Sequence, residues 1–179
     1  HGCLVGSEMC IRDSSSSVYQ TVLMNGTASW ASGVLVGLSW DVGKVIFGIG
    51  TQTAWDTDNV IGIQTRQLWN DGQWHHVVAV HDREQDEAMI YVDGTPRALE
   101  KYTTFGEPGG TLSADSTTLD TTGVDCLADR SEDATRIGAS RYGQTFTGGL
   151  DEIRVYDRAL TADEVAALFT IPDSPPSEP

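Results

Sequence analysis

The chain has 179 residues, 39% of them hydrophobic and 19 of them glycine, which suits one domain with a single core and many short turns. With 26 acids against 11 bases the formal net charge is −15, and Lys44 and Lys101 are the only lysines, so the composition argues against nucleic-acid binding, which needs a basic surface to hold phosphates. No stretch is long and apolar enough to span a membrane.

The chain opens with a segment that reads as foreign. Eleven consecutive positions, residues 4–14, run Leu-Val-Gly-Ser-Glu-Met-Cys-Ile-Arg-Asp-Ser and read like a transposase-library sequencing adapter translated in frame, ten of them encoded outright and Ser14 fitting its last two bases. Residues 1–14 are therefore set aside as adapter-derived, as one sets aside a cloning scar, and are expected to pack poorly. They cannot serve as a signal peptide, because Glu8 and Arg12 break a short apolar run. Cys3 lies beside this segment and Cys10 within it. Cys126 is then the one cysteine to reckon with, and it supports neither a disulfide framework nor a zinc site. Abundant Asp and Thr with scarce Lys fit a saline source or an ordinary acidic extracellular domain equally.

In chain order, residues 18–24 suit a strand and Asn25-Gly26 a turn. Residues 33–40 carry Val34, Leu35, Val36 and Leu38, the pattern of a largely buried strand. After a turn at Asp41-Val42-Gly43, residues 44–50 place Val45, Phe47 and Ile49 on one face. A loop at 51–59 holds Trp55-Asp56-Thr57-Asp58-Asn59, and residues 60–66 form another strand with Ile61 and Ile63 alike. The centre follows: an Asp71-Gly72 turn, a strand at 74–80, a charged loop at 82–87 and a strand at 88–92. The tight Asp93-Gly94 turn requires positive φ, and 95–99 then returns antiparallel as the third strand of a meander. In 74–80 the side chains of Trp74, His76, Val78 and Val80 share one face, read as the core face; His75, Val77, Ala79 and His81 share the other.

Residues 105–133 are a long Gly/Ser/Thr/Asp-rich segment that Leu112, Leu119, Val124 and Leu127 can tack down in part. A strand at 135–139, a turn at 141–144 and a closing strand at 150–156 follow. Strict alternation in that last strand puts Asp151 on the same face as Ile153 and Val155, where it needs donors or a cation. Thr161 and Glu164 form a capping box for a short helix with Val165, Leu168 and Phe169 as its apolar stripe. Residues 172–179, with Pro172, Pro175, Pro176 and Pro179, read as a linker to a neighbouring domain.

Asp-Gly-Gln-Trp-His-His-Val at 71–77, followed by Ile-Tyr-Val-Asp-Gly at 90–94, closely resembles laminin-G-like jelly-roll domains of the concanavalin A-like lectin/glucanase superfamily. Gly-Gly-Leu-Asp-Glu-Ile-Arg-Val-Tyr-Asp at 148–157 resembles the closing strand of that family, and Thr-Arg-Ile-Gly-Ala at 135–139 its penultimate strand. The resemblance implies an all-β antiparallel sandwich with one short C-terminal helix over residues 15–171. It also implies that strands normally preceding residue 20 are missing, leaving the strand at 150–156 without a partner.

The fold hosts lectins, adhesion modules and glycosidases, so function must be argued from sites. Glycosidases resembling the laminarinase type carry Glu-x-Asp-x-x-Glu or Glu-x-Asp-x-Glu on one strand, which puts acid and nucleophile on the same face. No such spacing occurs, and Asp151 and Glu152 are adjacent, so no catalytic residues are assigned and the domain is read as non-enzymatic. His75 and His76 are strand neighbours that point opposite ways and cannot chelate one metal; a core or hydrogen-bonding role suits both, and His81 too. Asp56, Asp58 and Asn59 place oxygen ligands at the spacing that suits Ca²⁺, against the alternative of a solvated acidic turn. Asp115, Asp120, Asp125 and Asp129 offer a weaker second group. Among the aromatics, Trp74 is read as core, whereas Trp30, Trp55 and Tyr142 stand in polar surroundings and are candidate sugar platforms.

These observations lead to a non-catalytic carbohydrate-binding or adhesion module of a larger secreted or cell-surface protein. Its expected partner is a glycan or extracellular protein, with Ca²⁺ as the candidate cofactor and neither nucleic acid nor membrane insertion. A structural or protein-interaction spacer without a sugar site is the main alternative, and a remnant glycoside hydrolase the second.

Overall fold

The computed structural model describes residues 6–13, 20–25, 32–39, 43–51, 60–101, 112–122, 134–140 and 143–170. Among the described residues twelve strands and one helix follow one another: β1 Gly6–Asp13, β2 Gln20–Asn25, β3 Ser32–Leu38, β4 Val45–Thr51, β5 Val60–Thr65, β6 His75–Asp82, β7 Glu87–Val92, β8 Thr95–Pro96, β9 Leu99–Lys101, β10 Thr118–Asp120, β11 Thr135–Ile137, β12 Gly148–Tyr156 and α1 Ala162–Thr170. They form two antiparallel six-stranded sheets. Sheet A runs β10-β7-β6-β1-β12, with β8 added to β7, and sheet B runs β11-β2-β3-β4-β5-β9.

Period-2 alternation builds the core. Met9, Ile11, Val77, Ala79, Ile90 and Val92 from sheet A meet Val22, Val36, Leu38, Val45, Phe47, Ile49, Ile63 and Leu99 from sheet B. A second cluster lies on the outer face of sheet A. There Val78, Val80 and Tyr91 pack with Leu160 and Val165 of the α1 region. The face of β6 read as the core face is therefore the helix-facing one, and Val77 and Ala79 fill the sandwich instead. Both faces of β6 are apolar, so its own pattern could not choose between them.

Trp74 is corrected with it. It precedes β6, stands 41% exposed and belongs to neither cluster. Its ring lies against Gly149, whose Cβ, were there one, would sit 2.5 Å from the ring's Cη2, and the Arg12 guanidinium lies over it at 5.1 Å.

The meander is shorter than expected. Asp93 (φ 55°) and Gly94 (φ 70°) make the positive-φ turn, and Val92 pairs with Thr95. Leu99 then crosses to sheet B and pairs with Thr65 of β5. Leu119 and Leu112 do tack down the long segment: Leu119 is buried on β10 and Leu112 packs against the core. Val124 and Leu127 lie outside the described residues.

The largest correction is at the N-terminus. Residues expected to pack poorly form β1, which lies inside sheet A and pairs with β6 on one side and β12 on the other. Met9 and Ile11 are buried in the core. The strand at 150–156 thus has a partner along its length. Glu8 opposes Arg154 while Cys10 opposes Asp151, so Met9 alone faces both Glu152 and Ile153 in a β-bulge. Glu152 takes φ 50°, and its N–H donates to Asp151 Oδ1 at 2.9 Å. The extra residue resets the alternation. Leu150 and Ile153 both pack against the core, Val155 stands opposite Ser7 and 49% exposed on the edge strand, and Asp151 finds its donor in the next peptide.

Candidate functional site

Trp30, Trp55, Tyr142, Asp56, Asp58 and Asn59 all lie outside the described residues. The residues that flank them are described. Ser32 pairs with Thr51, Asn25 with Val34 and Gly50 with Val60. Asn25, Ser32, Thr51 and Val60, which bracket segments 26–31 and 52–59, therefore stand at one end of sheet B. Ala134, next to the Thr135–Asn25 pair, marks the same end. Strand β11 runs away from it: Ile137 pairs with Leu23, and Gly138 N–H donates to the Val22 carbonyl at 2.8 Å. Ser140 and Gly143, either side of Tyr142, follow in that opposite direction. The described residues that flank segments 26–31 and 52–59 thus share one end of sheet B, and those that flank Tyr142 do not.

Two of the described aspartates hold turns. Asp120 Oδ1 accepts the Thr122 N–H at 2.8 Å and its hydroxyl at 2.6 Å, and these bonds keep the carboxyl below its usual range. Asp82 Oδ1 caps the 82–87 turn by accepting the N–H groups of Glu84 and Gln85. Among the described residues, no group of three His, Cys, Asp or Glu side chains is placed to hold a metal ion. Asp125 and Asp129 lie outside them.

Each of the described histidines has a local task. His75 stands between Asp93 Oδ2 (2.9 Å from Nδ1) and Asp71 Oδ1 (3.1 Å from Nε2), tying two turns together, with Trp69 edge-on at 5.0 Å. Trp69 is itself buried, donates to Thr65 Oγ1 at 3.2 Å and carries the Arg97 guanidinium over its ring. His81 lies buried, its Nε2 3.3 Å from Thr121 Oγ1; burial and the Arg83 charge push its pKa down, so its neutral form is favoured. The hydrogen-bonding role expected of the histidines holds for all three.

Two charged groups escaped the reading of the sequence. On the outer face of sheet B, Glu100 is held by Lys44, by Gln64 Nε2 at 2.7 Å and by Arg66 at 3.6 Å. Burial alone would raise its carboxyl, but these partners hold it below the usual range. Gln64 Oε1 is buried there without a donor. On the same face Met24, Leu35 and Ile46 form a small apolar cluster that is almost fully buried, so the sheet is not an open platform at that point. On the outer face of sheet A, Glu8 is 2% exposed and receives three donors. His76 Nε2 lies 3.0 Å and Arg154 2.9 Å from Oε1, and the Tyr156 hydroxyl 2.5 Å from Oε2. Phe169 of α1 stacks on His76 with ring centroids 6.0 Å apart. The donors come from β6 and β12, which are distant in sequence; no spacing within one motif could reveal them.

A family model described as the concanavalin A-like lectin/glucanases superfamily matches residues 10–166, and the chain belongs to that family. No curated protein matches the sequence. Among solved structures, the carbohydrate-binding module CBM40 of the Ruminococcus gnavus IT-sialidase superposes with TM-score 0.66 at 16% identity, covering 93% of this chain and 84% of that one. Domain 4 of the Geobacillus stearothermophilus extracellular arabinanase AbnA, solved with arabinotriose, gives 0.54 at 17% identity, covering 93% of this chain and 66% of the other. A Bacteroides ovatus protein gives 0.60 at 16% identity, and this chain spans 41% of its length. These likenesses establish the shared sandwich. No described helix is long and apolar enough to cross a membrane.

Proposed function

We propose that the chain is a non-catalytic carbohydrate-binding module, working outside the cell as part of a larger protein. The observation that supports the reading is the placement of Asn25, Ser32, Thr51 and Val60, which flank the segments bearing Trp30 and Trp55, at one end of sheet B. A sugar offers an apolar face that stacks on an aromatic ring and hydroxyls that pair with carboxylates or ligate a cation. Trp55 beside Asp56, Asp58 and Asn59 supplies both kinds of group, with Trp30 as a second platform on the same rim and Ca²⁺ as the candidate cation. Tyr142, flanked at the other end, would form a separate platform. The R. gnavus module bound to sialyllactose and the arabinanase domain bound to arabinotriose support a glycan without selecting one.

The test is a glycan array run on the full chain with Ca²⁺ and with chelator, beside Trp55→Ala and Asp56→Ala. Weak binding is expected, since a shallow rim buries little ligand, and repetition in neighbouring modules would raise it. Trp55→Ala should abolish it. Silence under both conditions would support a structural spacer instead. We also propose that residues 1–14 derive from a sequencing adapter; source-DNA reads that cross this junction without adapter bases would refute it.

A further inference from the structure

The outer face of sheet A holds a thioether and a phenol side by side. Met89 and Tyr91 stand two residues apart on β7, so alternation puts both on the face that α1 covers. There they pack with Val78, Val80, Leu160 and Val165. The Tyr91 hydroxyl donates to Met89 Sδ at 3.5 Å. A thioether sulfur is a weak acceptor, so a tyrosine only 4% exposed ends on a poor partner. Burial, with the Glu87 charge adding to it, pushes the Tyr91 pKa up, so the hydroxyl keeps its proton and stays a donor. The three methionines differ in access. Met9 is fully buried in the sandwich, and Met24 is 6% exposed in its cluster with Leu35 and Ile46. Met89 is half-buried at the margin of its cluster, between Val80 of β6 and Thr118 of the three-residue strand β10.

We propose that Met89 is an oxidation site of the folded chain, and that the Tyr91 hydroxyl receives the sulfoxide formed there. The oxidant is a hydroperoxide. A sulfur lone pair attacks one peroxide oxygen, the O–O bond breaks, and an S–O bond forms. The transferred oxygen gives its proton to the departing one, which leaves as water or an alcohol. Sulfur is oxidised by two electrons and the peroxide is reduced by two. The sulfoxide oxygen stands one bond out from the sulfur and is a far stronger acceptor than the thioether. It takes the hydrogen bond that Tyr91 already aims at this place. A polar sulfoxide loosens an apolar cluster, and the waiting donor offsets that loss. The oxidised chain therefore stays folded with α1 in place.

The experiment treats the full chain with graded hydrogen peroxide and reads sulfoxide at each methionine by peptide mass spectrometry. Met89 should be converted about tenfold or more faster than Met9 and Met24. The oxidised protein should keep a cooperative melt. In Tyr91→Phe the ring stays and only the donor is lost, so oxidation should lower Tm by about 2–4 °C more than in the parent. Met89→Leu should remove the oxidation-dependent shift in both backgrounds. A further readout needs no variant: NMR of the Tyr91 ring in the parent should show ionisation at higher pH after oxidation than before, because the stronger acceptor holds the proton. Conversion of Met9 or Met24 as fast as Met89 in the folded chain would overturn the site. An equal fall in Tm with and without the Tyr91 hydroxyl, or a ring titration that oxidation leaves unmoved, would overturn the role of Tyr91.

Discussion

Trp74 and Gly149 form a pair whose parts make sense only together. The ring is partly in solvent, but its inner edge occupies the space that any Cβ at position 149 would need. Trp74→Ala should therefore cost about 1–2 kcal/mol in denaturant melts, against about 3–5 kcal/mol for truncating the fully buried Phe47. A loss equal to that of Phe47→Ala would put the ring back in the core. Gly149→Ala should cost about 1–3 kcal/mol through overpacking. In a Trp74→Ala background that penalty should vanish, and a double-mutant cycle measures the coupling directly. Undiminished cost there would mean that the glycine serves the backbone rather than the ring.

At the scale of elements, α1 is fixed by its first turn. Thr161 N–H donates to Glu164 Oε2 at 2.9 Å, Glu164 N–H donates to Thr161 Oγ1 at 3.2 Å, and Arg158 grips both carboxylate oxygens at 2.8 Å. Thr161→Ala should cost about 1 kcal/mol. The hydrogen bonds from Arg158 and from the Thr161 N–H lower the Glu164 pKa to about 2 from its ordinary 4.5. A depressed carboxyl stabilises the fold above its ordinary value, and the contribution fades as pH falls through about 2. Titration of the Glu164 side chain by NMR checks this, and a midpoint near 4.5 would show the box open in solution. The bulge in β12 plays a comparable part. Glu152 at positive φ is what lets Leu150 and Ile153 both reach the core.

At the scale of the molecule, sheet A depends on its inserted strand. Deleting residues 1–13 would strip Met9 and Ile11 from the core and open the facing edges of β6 and β12. The shortened chain should lose cooperative melting or aggregate through those edges; a monomer with unchanged Tm would show that β1 is dispensable. Tyr156 reports the same assembly from the alkaline side. Burial and its bond to Glu8 push its pKa up to about 12. That raised value means stability present below 10, the free tyrosine value, and lost as pH climbs to about 12. NMR of the Tyr156 ring should show no ionisation near 10, and a Glu8→Leu variant should bring the midpoint down.

By itself the sequence determined the local elements. Alternation in 44–50 and 60–66, the Asp93-Gly94 turn and the Thr161–Glu164 box each depend on residues a few places apart, and each stands where those residues require. The family, too, was legible in the motifs at 71–77, 90–94 and 148–157. Which side of β6 faces the sandwich was not, because both its faces are apolar and only the docking of α1 decides between them. Nor was the role of β1: a short segment broken by Glu8 and Arg12 looks unfit for a buried strand until His76, Arg154 and Tyr156 surround the charge. The Glu100 group is alike, gathered from Lys44 just before β4, Gln64 of β5 and Glu100 of β9. Charge becomes tolerable in a buried place only when distant strands bring donors to it, and that meeting is decided by tertiary structure.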